Sequence, residues 1–277
     1  KSEMPLSFGE VEVIYGTPVT LTLNGNPENG RVTLTVDNTA IATISGMTLT
    51  PRTTGTINIT VTVAATANYN ATTKTLPLTI SPRVAQISWS NTSFTYDGSE
   101  KTPTATVTNI VSGDTVTVNV SGGQTNAGNY TAYAVSLSNS NYILPENTEQ
   151  NPDGEDIPVV NVLECSFVIN KAEITVSITS VKTTFGVSLG LEASVKLKNS
   201  GTEILLPPED IVWSFVTDTT LASIAGNMLM PLGVGSVSVR AYVADSQNTN
   251  EAEATANIVI EKGKLPLAFA DFTAMFS

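Results

Sequence analysis

Apolar and polar side chains alternate along much of the chain. Alternation with a period of two is typical of β-strands that place one face in a core and the other in water. Clusters rich in Gly, Asn, Asp and Pro separate the alternating segments and predict turns. The pattern therefore predicts an all-β protein. The clearest alternating segments are residues 19–23, 57–63, 115–120 and 237–243.

Two segments of the chain repeat one another. Residues 38–65 align without a gap with residues 218–245, at an offset of 180. Upstream, the offset falls to 170, and an insertion around residues 199–210 accounts for the difference. We call residues 1–82 the first repeat, 83–170 the middle segment and 171–261 the second repeat. The upstream matches pair Lys1, Glu3, Tyr15 and Gly16 with Lys171, Glu173, Phe185 and Gly186.

The chain also ends with a third partial match. Residues 262–277 resemble residues 1–16, and Leu265, Leu267 and Phe269 alternate on one face. This similarity predicts the first strand of a truncated further repeat, packed on the second repeat or on a neighbouring molecule. The predicted domains are therefore 1–82, 83–170 and 171–261, followed by this strand at 262–277. Because the junctions between them lack flexible Gly/Ser linkers, we expect an elongated array.

Sequence motifs in the repeats and the middle segment resemble two bacterial domain families. The segment "DNTAIATISGMTLTPRTTGTINITV" and its second copy, with Trp213 ahead of it, resemble the bacterial Ig-like domain, group 2. The middle segment resembles the MBG/YDG-type repeat through "TYDGSEKTPTATV", "SGDTVTV", "NAGNYTA", "LSNSNYIL" and "SFVI". It departs from that pattern by an insertion at residues 146–162.

The resemblances imply a fold, a location and a class of function. They imply tandem Ig-like β-sandwich domains, with the middle domain either of this kind or another small β fold. They imply non-catalytic stalk or adhesion modules at the bacterial cell surface, outside the cell. The partners would be a host glycan or matrix protein and the neighbouring domains of the parent protein. Neither family brings a catalytic residue to this chain.

Composition narrows the possible chemistry further. The 277 residues include 13 basic and 25 acidic side chains, for a net charge of -12, which disfavours nucleic acid as a partner. With no histidine, Ser-His and Cys-His nucleophile systems cannot be built. Composition leaves open a carboxylate pair for glycoside hydrolysis, but nothing in the sequence singles out two of the 25 acids. We predict no enzyme activity and no cofactor. The single cysteine, Cys165, alternates with Leu163 and Phe167 and is predicted to be a buried thiol. No apolar run is long enough to span a membrane.

A few residues are candidates for binding. Asp153, Glu155 and Asp156 cluster in the insertion and offer the oxygen ligands of a calcium site, although a solvated acidic turn fits the same residues. Trp89 and Trp213 are read as core residues, or else as sugar-stacking platforms. If the two tryptophans stack on sugars, they favour an alternative function: a carbohydrate-binding module array attached to a secreted polysaccharide-degrading enzyme.

The tyrosines of the middle segment have a structural interpretation. Tyr96, Tyr130 and Tyr142 lie in the motifs quoted above. A tyrosine can bury its ring and keep its hydroxyl at the edge of a core, where it finds a hydrogen-bond partner. We therefore expect these side chains at the corners of the core.

Overall fold

Strands and turns make up the structure. The structure is a computed structural model that describes residues 1–145, 147–150, 156–159 and 163–264. Within these ranges it contains 28 strands and one short 3-10 helix, Pro208–Asp210. The predicted all-β class, built from tandem β domains, is thus confirmed. Among the same residues, none of the helical structure is long and apolar enough to cross a membrane.

The chain divides into two compact units. The first comprises Lys1–Thr92, Thr102–Gly123 and Thr131–Phe167. The second comprises Ser93–Lys101, Gln124–Tyr130 and the chain from Val168 onward. The first unit therefore contains the whole first repeat, the second contains the whole second repeat, and the middle segment contributes to both. The domain boundaries predicted from the sequence stay predictions.

The first repeat consists of eight strands in three sheets. Its strands are β1 Ser7–Phe8, β2 Val19–Thr20, β3 Leu23–Asn24, β4 Val32–Val36, β5 Ala42–Ser45, β6 Thr48–Pro51, β7 Gly55–Val63 and β8 Thr72–Ile80. The sheets have the orders β4-β7-β8, β2-β6-β5 and β1-β3. Along β7, Ile57, Ile59, Val61 and Val63 are buried in alternation with more accessible residues, as the period of two predicts. Their buried face belongs to one hydrophobic core that also includes Leu49.

The middle segment begins with short strands and ends with a long one. Its strands are β9 Arg83–Val84, β10 Ile87–Ser90, β11 Ser93–Thr95, β12 Thr104–Val107, β13 Val118–Ser121, β14 Gly128–Leu137, β15 Tyr142–Ile143, β16 Asn147–Gln150, β17 Asp156–Val159 and β18 Leu163–Asn170. The largest sheet has the order β11-β18-β14-β13. Cys165 is buried on β18 with Phe167 and Ile169 on the same face, which confirms the predicted buried thiol. Inside the insertion, β16 and β17 pair as an antiparallel hairpin.

The second repeat reproduces the first with two additional strands and a 3-10 helix. Its strands are β19 Ile174–Ile178, β20 Lys182–Thr184, β21 Leu189–Gly190, β22 Ala193–Leu197, β23 Glu203–Ile204, β24 Ile211–Phe215, β25 Ala222–Ala225, β26 Met228–Pro231, β27 Gly235–Val243 and β28 Ala252–Glu261. The sheets have the orders β20-β28-β27-β24, β21-β26-β25 and β19-β22-β23. The additional strands are β20 and β23, and β23 and the 3-10 helix both lie in the predicted insertion.

The two repeats match in register as well as in strand order. Leu49 pairs with Val19 on one side and Ile44 on the other, and Leu229 pairs with Leu189 and Ile224 in the same way. The turn glycines that precede these strands, Gly46 and Gly226, both have φ of 59°, a left-handed conformation that glycine adopts without steric cost. The offset of 180 read from the sequence therefore holds from β5 to β8, and the upstream offset of 170 holds at β2.

Candidate functional site

The end of the first repeat is tied directly to the middle segment, within the first compact unit. Tyr15 N–H donates to the Ser81 carbonyl at 2.9 Å, immediately after β8. Two residues further on, the Arg83 guanidinium donates to the Tyr15 carbonyl at 3.2 Å and to the Thr17 hydroxyl at 2.9 Å. Because the chain is hydrogen-bonded on both sides of Pro82, the crossing from repeat to middle segment contains no free linker.

Two tyrosines and one aspartate form the centre of this junction. The Tyr15 hydroxyl donates to Asp114 Oδ2 at 2.8 Å, and the Tyr142 hydroxyl donates to the same oxygen at 2.6 Å. The two rings meet edge to face with centroids 5.7 Å apart, a favourable geometry for an aromatic pair. Tyr15 is 5% exposed and Tyr142 3% exposed. We call these three residues the junction cluster.

The environment of the junction cluster favours neutral tyrosine. Burial, followed by the hydrogen bond to the Asp114 carboxylate, raises the pKa of Tyr15 to about 12. The same two causes raise the pKa of Tyr142. Each neutral hydroxyl can donate to the carboxylate, whereas a tyrosinate could not and would bring a second negative charge beside it. The cluster is therefore suited to holding two segments together and not to nucleophilic chemistry.

A second set of hydrogen bonds extends the junction to the β6–β7 turn. The Asn141 side-chain oxygen accepts from the Thr53 hydroxyl at 2.8 Å and from Thr54 N–H at 2.9 Å. Asn141 adjoins Tyr142, so the turn and Tyr15 both contact one short stretch of the middle segment. Gly16 completes the contact, because a Cβ placed there would lie 2.3 Å from a methyl group of Val111. We call Tyr15, Gly16, Thr53 and Thr54 the junction surface of the first repeat.

A cavity of about 510 Å³ lies in the second compact unit. The insertion builds one side of it, because β23 pairs with β22 and brings Ile204 to the lining. The apolar lining consists of Ile174, Val195, Leu197, Ile204, Leu206 and Val243. The polar lining includes Tyr96, Asp97, Glu203, Asp210, Asp245 and Asn248. An aliphatic floor with several hydrogen-bonding groups is typical of small-ligand sites.

Charge is distributed unevenly around this cavity. Asp97 is paired with Lys101 at 2.6 Å, and this hydrogen bond together with that of Ser99 lowers the pKa of Asp97 to about 2. Asp245 is paired with Lys171 at 2.5 Å. Glu203 and Asp210 are exposed, and no salt bridge to either is found in the described part of the chain. The rim therefore keeps a negative character that suits ligands with hydroxyl or cationic groups.

The predicted calcium site falls mostly outside the described residues. Asp153 and Glu155 lie outside them, and Asp156 is described only as the first residue of β17. Elsewhere in the described ranges, no cluster of three or more acidic or cysteine side chains is arranged to hold a metal ion. The site at Asp153, Glu155 and Asp156 stays a prediction.

The two tryptophans differ in burial. Trp213 is 8% exposed and belongs to the core of the second repeat, which confirms its interpretation as a core residue. Trp89 is half-buried on β10, opposite Ala105. Trp213 therefore cannot serve as an exposed sugar-stacking platform.

The tyrosine prediction holds best at Tyr142. Its ring is buried and its hydroxyl reaches a partner at the edge of the core, as expected. Tyr96 is half-buried and packs against the core of the second repeat. Sequence reasoning missed Asp114 as the shared acceptor, although it lies in the quoted motif "SGDTVTV". It also missed the cavity, for which the apolar residues within the polar insertion 199–210 were the available signal.

Comparisons with known proteins give no family for the chain. No family model matches it, and no curated protein matches it. Among solved structures, domains 4–9 of the surface layer protein SbsC are 17% identical, with 95% of this chain and 48% of that chain covered and a TM-score of 0.23. This chain thus spans about half the length of that structure.

Two further structures are similar at the same level. Three N-terminal domains of the highly immunogenic outer capsid protein of bacteriophage RB49 are 13% identical, covering 95% of this chain and 99% of that chain, with a TM-score of 0.28. A SusE-like surface located polysaccharide binding protein from Bacteroides thetaiotaomicron is 13% identical, covering 93% and 53%, with a TM-score of 0.21. At these TM-scores the similarities carry no argument about function.

Proposed function

We propose that this protein is a non-catalytic stalk and adhesion segment of a bacterial surface protein, acting outside the cell. The observation that carries the proposal is the junction between the first repeat and the middle segment. There the chain crosses without a linker, and the junction cluster buries two aromatic rings around one carboxylate. A joint of this kind resists bending, which is what a spacer that holds a binding site away from a surface requires.

The composition and the environment of the one cysteine support the same proposal. The chain has no histidine, and burial raises the pKa of the Cys165 thiol, so its thiolate is disfavoured. The resemblance of the repeats to bacterial Ig-like domains and of the middle segment to MBG/YDG-type repeats agrees with a surface location. The adhesive partner we propose is a host glycan or matrix protein.

Small-angle scattering and a binding panel test the two halves of the proposal. A stalk should give an elongated scattering profile, and a compact globular profile would count against it. For adhesion, the 277-residue chain is titrated against immobilised glycans and host matrix proteins. Saturable binding that is lost when the β16–β17 hairpin is replaced by a short turn supports an adhesin with its site in the insertion. Absence of binding to the whole panel would reject the adhesive half.

The cavity of the second unit favours a second candidate function, carbohydrate binding in a module array of a secreted polysaccharide-degrading enzyme. Its polar lining offers carboxylates, an amide and a phenol to sugar hydroxyls. The test is calorimetric titration with oligosaccharides on I204R, which fills the cavity, and on L205R as its control. Leu205 is 92% exposed and does not line the cavity. Loss of binding in I204R alone supports this function, and equal binding in both variants contradicts it.

A further inference from the structure

A threonine of the second repeat, Thr249, stands where the first repeat has a tyrosine, Tyr69. The Tyr69 carbonyl accepts a hydrogen bond from Thr66 N–H at 3.1 Å. The Thr249 carbonyl likewise accepts one from Ser246 N–H at 2.9 Å, so the two backbones are held alike. The Tyr69 side chain packs against the core of its repeat, whereas Thr249 lines the cavity of the second compact unit. The smaller side chain therefore leaves room where the first repeat places a phenol ring.

The floor of the cavity is aliphatic and buried. Four of its lining side chains are at most 7% exposed, namely Ile174, Val195, Leu197 and Val243. The volume of about 510 Å³ lies within the roughly 300–1,000 Å³ that is typical of small-molecule sites. An alkyl group suits this floor better than a sugar ring does, because a sugar would bury hydroxyl groups there without hydrogen-bond partners.

The lining of the cavity contains four carboxylates and no basic side chain. The four are Asp97, Glu203, Asp210 and Asp245. Two of them are paired with lysines, as described above, but no salt bridge to Glu203 or Asp210 is found among the residues that the structure describes. The rim of an aliphatic cavity therefore carries two unpaired negative charges, which attract a cation.

The features that form the cavity occur together in the second repeat only. The first repeat has Tyr69 at the position of Thr249 and Ala65 at the position of Asp245, and it lacks the insertion that supplies Glu203. The shared framework does not require these features, because the first repeat folds without them. They combine space, an aliphatic floor and negative charge at one place in the fold.

We propose that this cavity binds an aliphatic amine, with the alkyl chain on the floor and the ammonium group at the rim beside Glu203 and Asp210. Burial of the alkyl chain removes apolar surface from water. The ammonium group donates charge-assisted hydrogen bonds to the carboxylates. This inference does not depend on the proposed adhesive role, and it gives the cavity a ligand other than the oligosaccharide of the second candidate function.

Titration of the 277-residue chain with hexylamine, followed by NMR of the isoleucine methyl groups, tests the proposal. Saturable shifts are expected at Ile174 and Ile204, which line the cavity, and not at Ile59, which lies in the core of the first repeat. Hexanol has the same chain length without the charge, and it should bind at least about threefold more weakly.

A free amine and the side chain of a lysine present the same chemistry, and a second titration distinguishes them. The probe is Nα-acetyl-lysine methylamide, which carries the lysine side chain between two amide groups. If it binds as tightly as hexylamine, the ligand is a lysine of a partner protein. If it binds more weakly, the ligand is a free aliphatic amine.

Three variants separate the charge of the rim from the volume of the cavity. E203Q/D210N keeps the shape of both side chains and should weaken hexylamine binding by about three- to tenfold, while hexanol binding stays unchanged. E192Q/E209Q is the matched control, because both glutamates are exposed in the same repeat and neither lines this cavity. T249Y restores the residue of the first repeat and should abolish binding of both compounds.

The E203Q/D210N comparison decides the matter even if T249Y does not fold, because its changes are confined to exposed side chains. Equal hexylamine affinity in the native chain and in E203Q/D210N would overturn the proposal. So would equal affinity for hexylamine and hexanol, or no shift at Ile174 and Ile204. Oligosaccharide binding that is lost in I204R, without any binding of hexylamine, would overturn this inference and support the second candidate function.

Discussion

The first and second repeats share a core and differ at their ends. Leu49 and Leu229 are both fully buried at matching registers, and the turn glycines before them have the same φ. At the end that follows β8 or β28, however, Tyr15 is buried and Phe185 is half-exposed. Burial is thus the same at these matched core positions and differs at the ends of the repeats, where Tyr15 contacts the middle segment.

The repeats also differ in the inserted strand. The insertion adds β23 to β22 in the second repeat and forms part of the wall of its cavity. The remaining strands keep their register despite this addition, because the extra residues are accommodated between β22 and β24. The cavity of the second repeat is therefore added without a change in how β26 pairs with β21 and β25, or β27 with β28.

The largest expected effect compares the matched core leucines. Replacing Leu49 or Leu229 by alanine removes a fully buried side chain and should cost about 2–5 kcal/mol of unfolding free energy. L49A should lower protection from hydrogen exchange in the first compact unit, and L229A in the second. The measurement is native-state hydrogen exchange followed by mass spectrometry of peptides from β7 and β27.

The comparison makes the size of this effect informative. If the two repeats are equivalent frameworks, the two costs should differ by less than the ~2 kcal/mol over which Leu→Ala costs vary between sites. If L49A and L229A lower hydrogen-exchange protection in the same peptides, the two units unfold together. The two cores would then not be independent.

The junction cluster gives the next largest effect. D114A removes the acceptor of two buried hydroxyls, and leaving buried donors unsatisfied costs about 1–3 kcal/mol each. Y15F, which makes the first repeat resemble the second at this position, removes one hydroxyl and should cost only about 1 kcal/mol. Urea unfolding of the first unit measures both, and a larger loss in Y15F than in D114A would contradict the role given to Asp114.

The sequence predicted the framework better than the sites. Alternating residues such as those of β7 predicted strands, and the offset of 180 predicted matching registers, because both depend on local patterning that the fold preserves. Asp114 could not be recognised, since its partner Tyr15 lies 99 residues away. The cavity depends on how β23 pairs, and the apolar residues of the insertion do not by themselves determine that pairing.

Alanine substitutions at the matched glycines, Gly16 and Gly186, separate the cost of packing at the junction from the cost of backbone strain. G16A and G186A both place an alanine at positive φ, which should cost about 1 kcal/mol in each. G16A also forces a methyl group into Val111, and overpacking adds about 1–3 kcal/mol. The difference between the two midpoints in urea measures the contact with Val111 alone. Equal costs would mean that the junction relaxes freely, contrary to a stiff joint.

The smallest expected effect is a loss of stability at alkaline pH, which should be strong only where the junction cluster contributes. The pKa of Tyr15 is raised to about 12, from 10.0 in the unfolded chain, so the unfolded state releases its proton first. This contribution to stability is present below pH 10 and declines as the pH rises toward 12. Urea midpoints between pH 8 and pH 11 should therefore fall less steeply in Y15F than in the native chain.

Tyr242 in the second repeat supplies the control for this measurement. Its hydrogen bond to Glu251 raises its pKa as well, but this hydrogen bond is exposed and solvent screens the interaction. Y242F should therefore change the alkaline slope less than Y15F does. If Y15F and Y242F reduce the alkaline slope of the urea midpoint equally, the shared Asp114 carboxylate stabilises the fold no more than an exposed tyrosine–glutamate pair does. The junction cluster would then have no special role in stability.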